Sequence, residues 1–127
     1  MVVILDTNGL SALAEGEPAL ESILSKASQV AIPVIVLGEY RYGISHSRYR
    51  KNYEHWLGQF LSTFRILEVD ERTTVFYSRV RTELKKAGTP IPSNDVWIAA
   101  LCRQHSLPLV SRDRHFNFVA GIARLEW

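Results

Sequence analysis

The sequence predicts an α/β sandwich on a mainly parallel sheet, formed as one domain over residues 1–127. Short apolar runs such as VVIL at 2–5 and QVAI at 29–32 are continuous rather than alternating, the pattern of strands buried on both faces. Such runs alternate along the chain with segments of helical periodicity, as a parallel sheet with crossover helices requires. A chain of 127 residues with 46% apolar and 22% charged residues is long enough for one core and too short for two.

Element by element, VVIL ends at DTNG, so the first strand delivers Asp6 into a turn. LSALAEG reads as a short helical turn stopped by Gly16. A helix follows from Pro18 to Ser28, with proline at an early helical position and Leu20, Ile23, Leu24 and Ala27 at helical spacing. QVAI is a second strand, and Pro33 opens VIVLGEYRYGI, on which Ile35, Val36, Glu39 and Gly43 share one face. The next helix has Tyr49, Tyr53, Trp56, Leu57, Phe60, Leu61 and Phe64 on one stripe. RILEV at 65–69 is a third strand, and Asp70 caps a helix carrying Phe76, Val80 and Leu84 that ends at Gly88. After the loop TPIPS, Ser93 or Asn94 caps a helix whose inner face holds Asp95, Ile98, Ala99 and Cys102. PLVS is the fourth strand and ends at SRD; FNFVAGI is irregular or briefly helical, and ARLEW is a closing edge strand. There is no internal repeat, low-complexity tract or linker.

Composition narrows the function classes. A single cysteine, Cys102, excludes an internal disulfide framework, and Met1 leads into a strand without a basic leader, so a cytoplasmic protein is expected. Every apolar run is broken by charge before it could span a bilayer, which argues against membrane insertion. The net charge of +2 neither demands nor excludes a nucleic-acid partner. Its distribution says more. Basic residues gather as Arg41, Arg48, Arg50 and Lys51, as Arg79, Arg81, Lys85 and Lys86, and as Arg112 and Arg114. A solvated helix face is the ordinary reading of such groups and the preferred one for Lys85 and Lys86, whereas Arg112 and Arg114 flank a carboxylate in a predicted loop.

Four carboxylates carry the functional reading. In open parallel sheets, sites form beyond the carboxyl ends of the strands, and there Asp6 follows the first strand and Asp113 the fourth. Glu39 and Asp95 arrive on the apolar stripes of their helices, so both point inward. Each acid has an ordinary use: Asp6 in an Asx-turn with Asn8 or Gly9, Asp95 at a helix N-terminus, Glu39 paired with Arg41 or another arginine, Asp113 as a loop acid. Four acids at strand ends or on buried stripes, without a matching set of inward Lys or Arg, share one explanation in a divalent cation. Oxygen donors with no neighbouring His or Cys cluster select Mg²⁺ or Mn²⁺ over zinc. Such an ion suits activation of water against a phosphodiester.

At these residues the chain resembles the PIN-domain ribonucleases and, within them, the VapC-type toxins of bacterial toxin–antitoxin pairs. The resemblance runs in order through VVILDTNGL at 2–10, PVIVLGEYRYGI at 33–44, SNDVWIAAL at 93–101 and LVSRDRHF at 109–116. It implies a three-layer α/β/α fold, Mg²⁺- or Mn²⁺-dependent cleavage of RNA, homodimerisation, and inhibition by a small antitoxin. It further implies Asp6 and Asp95 as direct metal ligands, Glu39 as a ligand directly or through water, and Asp113 as the fourth acid. Thr7, Asn8 and Ser111 are candidates to hold metal waters or orient the acids. Arg112 and Arg114 are candidates for RNA phosphates, with His115 and Phe116 adjacent for base contact or packing. The helices from Leu10 to Ser28, with YRYG at 40–43, are the expected antitoxin groove.

A haloacid-dehalogenase-like phosphatase needs a second Asp two residues after the first, where this chain has Asn8. A receiver-like domain needs a Lys at a later strand end, where this chain has Arg112 and Asp113. A metal-independent ribonuclease would draw on His46, His55, His105 and His115, of which His55 and His105 fall on strong helices. A housekeeping RNA-processing nuclease and a non-catalytic RNA- or protein-binding module of the same fold remain the alternatives.

Overall fold

Val2–Leu5 forms β1, and burial rises along it to completeness at Ile4 and Leu5, because strands lie on both sides. The computed structural model describes residues 1–127 and adds β2 (Gln29–Pro33), β3 (Arg65–Leu67), β4 (Leu109–Val110) and β5 (Arg124–Leu125). The five strands form one sheet of order β3-β2-β1-β4-β5, every pair parallel. The register sets Ile4 between Ala31 and Leu109, and Leu5 beside Val110, which makes the middle of the sheet apolar.

Six helices flank the sheet in a three-layer α/β/α sandwich: α1 (Thr7–Ala14), α2 (Pro18–Leu24), α3 (Val34–Ser45), α4 (Arg50–Phe60), α5 (Glu71–Ala87) and α6 (Ser93–His105). The most deeply set is α6, where Val96 and every residue from Ile98 to Cys102 are buried. It packs along α5, whose start is fixed by the expected Asp70 cap: Asp70 Oδ1 accepts from Thr73 N at 3.1 Å, and Asp70 N donates to Thr73 Oγ1 at 3.0 Å. The α5 helix stops at Gly88, in the left-handed region at φ 72°. Trp97 of α6 stacks on Tyr77 of α5 with ring centroids 3.9 Å apart, so it packs between helices. No helix is long and apolar enough to cross a membrane.

Several local expectations are corrected. Helix α1 begins at Thr7, immediately after Asp6, because the Asp6 side chain caps it; α2 stops at Leu24 instead of reaching Ser28. On α3 the buried stripe is Val36, Tyr40 and Ile44; Glu39 is half-buried and Gly43 exposed, because that edge of the helix borders a cavity toward α1. The aromatic stripe of α4 is only lightly covered. Leu57 alone is buried, Tyr49 and Phe60 are exposed, and Trp56 packs on Phe60 and Phe64 beyond a 3-10 turn at Leu61–Thr63. Strand β3 keeps only the first three residues of RILEV. The N-cap of α6 is Pro92, extended at ψ 145°, with no side-chain cap, so Ser93 and Asn94 lie in the first turn. The sheet expected to be mainly parallel is wholly so, including the edge strand in ARLEW.

Strand β1 and helix α1 meet so tightly that Gly9 has no room for a side chain. A Cβ there would strike Leu5 and lie 3.0 Å from Asp6 Oδ1. Leu5 is fully buried and has nowhere to retreat. Gly9→Ala should therefore destabilise the fold by about 1–3 kcal/mol. Urea unfolding measures it, and an unchanged midpoint would contradict this packing.

Candidate active site

The chain runs from β1 outward through β2 to β3, then returns to the other side of β1 as β4. The topological switch therefore lies between β1 and β4, where an open α/β sheet leaves a crevice beyond its strand ends. Asp6 follows β1 and Ser111 follows β4, side by side.

Asp6 is 5% exposed, and both its oxygens are bound. Oδ1 accepts from Gly9 N at 2.8 Å as the N-cap of α1, and Oδ2 accepts from Ser111 Oγ. The same Ser111 oxygen accepts from Asp113 N at 3.0 Å, so one buried hydroxyl joins the first acid to the loop of the fourth. Asp113 caps a 3-10 turn at Arg114–Phe118, its Oδ1 accepting from His115 N at 3.1 Å. That turn folds the His115 ring back over the acids. Nδ1 lies 2.8 Å from Asp113 Oδ1, and Nε2 lies 2.9 Å from Asp95 Oδ2 in the first turn of α6. Glu39 enters from α3 and accepts from Thr7 Oγ1 at 3.1 Å.

Burial pushes Asp6 above the usual carboxylate range; donation from Ser111 and Gly9 opposes this, and the charge of Asp113 adds to it. Burial also raises Asp95. His115 opposes the rise, while Asp113 and Glu39 reinforce it. Mutual repulsion thus links all four acids: Asp113 acts on both Asp6 and Asp95, and Glu39 on Asp95.

The donor atoms of Asp95, Asp113 and His115 lie within 4.8 Å of one another, a set able to hold a divalent cation, with Asp6 joined through Ser111 and Glu39 at the margin. The expectation of an oxygen-only neighbourhood is corrected by His115, whose ring nitrogens meet two of the acids. The signal for it was the Asp-x-His spacing at 113–115, since an Asx-type cap turns the residue two positions on back toward the carboxylate.

The other candidates divide. Thr7 and Ser111 bond to the acids. Asn8 is exposed and takes no part in these hydrogen bonds. Arg112 turns to the C-terminal residue, its Nε donating to Trp127 O at 3.0 Å and its guanidinium 3.8 Å from the Trp127 ring centroid. The Arg114 side chain is 80% exposed, 3.8 Å from Glu126. Sequence reasoning missed Arg124, whose Nη1 donates to Ser111 O and whose Nε donates to Asn117 Oδ1, each at 2.9 Å. Arg124 thereby ties β5 to both ends of the loop that carries Asp113 and His115.

A cavity of about 320 Å³ opens beside the acids between α1, α3 and α4, lined by Thr7, Ser11, Glu15, Glu39, Tyr40 and Tyr53 among others. The Tyr40 hydroxyl is buried there without a hydrogen-bond partner, and burial pushes it up to about 12.

The family model described as PIN domain matches residues 3–122. Ribonuclease VapC2 of Rickettsia felis is 31% identical over 83% of this chain and 79% of its own. Toxin FitB of Neisseria gonorrhoeae is 31% identical over 96% of this chain and 95% of its own. The crystal structure of VapBC2 from Rickettsia felis, bound to a DNA fragment from its promoter, superposes at TM-score 0.89 with 29% identity. That match covers 100% of this chain and 99% of the other.

A carboxylate whose pKa is raised on folding binds more protons folded than unfolded, so its contribution to stability falls as pH rises from the unfolded value through the folded one. Asp6 is such a group. Without metal, Asp6→Asn should melt roughly 2–6 °C above the parent at pH 7. The gap should narrow as pH drops below the raised range. Thermal melts in EDTA across pH test this, and a lower melting temperature at pH 7 would contradict the electrostatic account.

Proposed function

Since the chain belongs to the PIN-domain family and, within it, to the VapC-type ribonuclease toxins, we propose that it hydrolyses RNA phosphodiesters with Mg²⁺ or Mn²⁺ held by Asp6, Asp95 and Asp113, with Glu39 as a nearer or outer partner. The observation that carries this reading is the convergence of these acids in the crevice between β1 and β4. A bound hard divalent ion supplies charge stabilisation at the phosphate and lowers the pKa of a water. The chain's own groups do the rest. Ser111 fixes the Asp6 carboxylate and the Asp113 backbone, Thr7 orients Glu39, and His115 sets the rotamers of Asp95 and Asp113 through one ring. The exposed Arg114, at the rim, is suited to an RNA phosphate. Arg112 reaches the substrate only by leaving Trp127.

A small antitoxin is the second partner of this reading. The cavity between α1, α3 and α4 combines Glu15 and Glu39 with apolar lining from Ile44 and the Tyr40 ring, and it opens directly beside Glu39. It fits a peptide segment bearing a basic and an apolar side chain. In this position the antitoxin would block the acids, and a homodimer is compatible with it.

Cleavage of total bacterial RNA by purified protein, with Mg²⁺ or Mn²⁺ and with EDTA, tests the activity. Asp95→Asn should lower kcat/KM by at least about 10²–10³-fold and leave the unfolding midpoint of the apo protein no lower. Undiminished cleavage in EDTA, or by the variant, would sink the metal assignment.

A further inference from the structure

The corner between α3 and α4 concentrates positive charge that the acid crevice does not use. Ser47, Arg48, Tyr49, Arg50, Lys51 and Asn52 line an open cavity of about 510 Å³. Arg41, Arg48, Arg50 and Lys51 are all exposed. Among them only Arg50 faces an acid, Glu54 at 3.7 Å, and both side chains are about half exposed (51% and 53%), so the pair neutralises little. The basic group therefore stands as an electropositive surface within an otherwise nearly balanced molecule.

Aromatic rings are set among these cations. Arg48 donates to Tyr49 Oη at 2.8 Å, and its guanidinium lies 4.9 Å from that ring's centroid. Tyr49 remains 50% exposed, so the arginine steadies the ring without covering it. Tyr42, on the last turns of α3, is 72% exposed beside His46. A solvated face has no use for exposed, propped tyrosines. Cations interleaved with stackable rings match a chain of phosphates carrying flat bases.

The surface is also continuous with the acids. Ser47 lines both this cavity and the neighbouring one of about 320 Å³, which holds Thr7 and Glu39. The corner therefore adjoins, across Ser47, the groove that opens beside Glu39, and a single strand leaving the crevice need cross only the rim at Gly43 and Ser47 to reach it. We propose that Arg48, Lys51 and Tyr49 form a docking site for single-stranded RNA that grips phosphates and stacks a base away from the bond being cut. The site rests on the ribonuclease reading above and adds to it a determinant of substrate length and affinity.

Binding of a labelled, unstructured RNA of roughly 20 nucleotides, measured by anisotropy in EDTA from about 50 to 200 mM KCl, separates docking from cleavage. Arg48→Ala/Lys51→Ala should raise Kd about tenfold or more and reduce the slope of log Kd against log salt by about 1.4, as expected for two lost phosphate contacts. Tyr49→Ala should raise Kd about tenfold with the slope unchanged. Cleavage of a dinucleotide in Mg²⁺ should keep the parental kcat/KM in all these variants, because its one phosphodiester has to sit at the acids and leaves no further phosphate for the corner. Unchanged RNA affinity and slope in the double variant would overturn the proposal. So would a matching loss on the dinucleotide. Poly-glutamate that binds as tightly as RNA, and is indifferent to Tyr49→Ala, would assign the corner to an acidic protein instead. Tight, Tyr49-dependent RNA binding by a parent protein that cuts no RNA would keep the docking site and remove the ribonuclease reading.

Discussion

The Asp6 carboxylate lies buried at the end of a strand that has neighbours on both sides, and the cost of holding charge there shapes what surrounds it. An isolated buried carboxylate would protonate or force a rearrangement. Here Gly9 N and Ser111 Oγ each satisfy one oxygen, yet burial still outweighs them and Asp113 adds repulsion. The same conflict recurs at Asp95, where only His115 stands against burial and two further acids. The neighbourhood is arranged for a positive guest: donors hold the carboxylates in place while leaving their collective charge uncancelled. Stability is given up locally for that arrangement, as is common where a fold keeps charge in readiness.

The sheet order makes the arrangement attainable. With β1 central and β4 beside it, two acids separated by almost the whole chain leave adjacent strand ends and point into one crevice. Helices α3 and α6 then bring Glu39 and Asp95 from different sides, each anchored by a buried stripe: Val36, Tyr40 and Ile44 on one, Ile98 to Cys102 on the other. The acids therefore rest on rigid elements, and their mutual placement is inherited from core packing. The cation-rich α3–α4 corner sits outside that packing, on the lightly covered α4, where side chains are free to meet a partner.

Much of this was legible in the residues, for a definite reason. Strands buried on both faces write continuous apolar runs, so β1, β2 and β4 announced themselves, as did the capped start and glycine end of α5. The four acids stood out because each fell at a strand end or on a stripe that periodicity marks as inward, where a carboxylate is expensive, although Glu39 proves to sit half-buried beside the stripe of Val36, Tyr40 and Ile44. Periodicity says that a helix has an apolar face but not how much of that face a neighbour covers, so the α4 stripe was overestimated: only Leu57 is buried. Contacts that depend on register between distant segments were also out of reach. Ser111 meets Asp6 across 105 positions, and Arg124 finds Ser111 only once β5 has paired with β4. The place of His115 among the acids had one short signal, the Asp-x-His spacing at 113–115, and that spacing takes effect only through the 3-10 turn at Arg114–Phe118.

The clamp on the acid-bearing loop comes from the last residues of the sequence. Ser111 N donates to Leu125 O, Arg124 holds Ser111 O and Asn117, and Arg112 rests on Trp127. During synthesis from the N-terminus, Asp6, Glu39, Asp95 and Asp113 all emerge before this clamp exists. A nascent chain thus carries every acid of the cluster but lacks the strand that sets two of its members in place. Translation order itself postpones assembly of the centre until β5 has been made and has paired with β4.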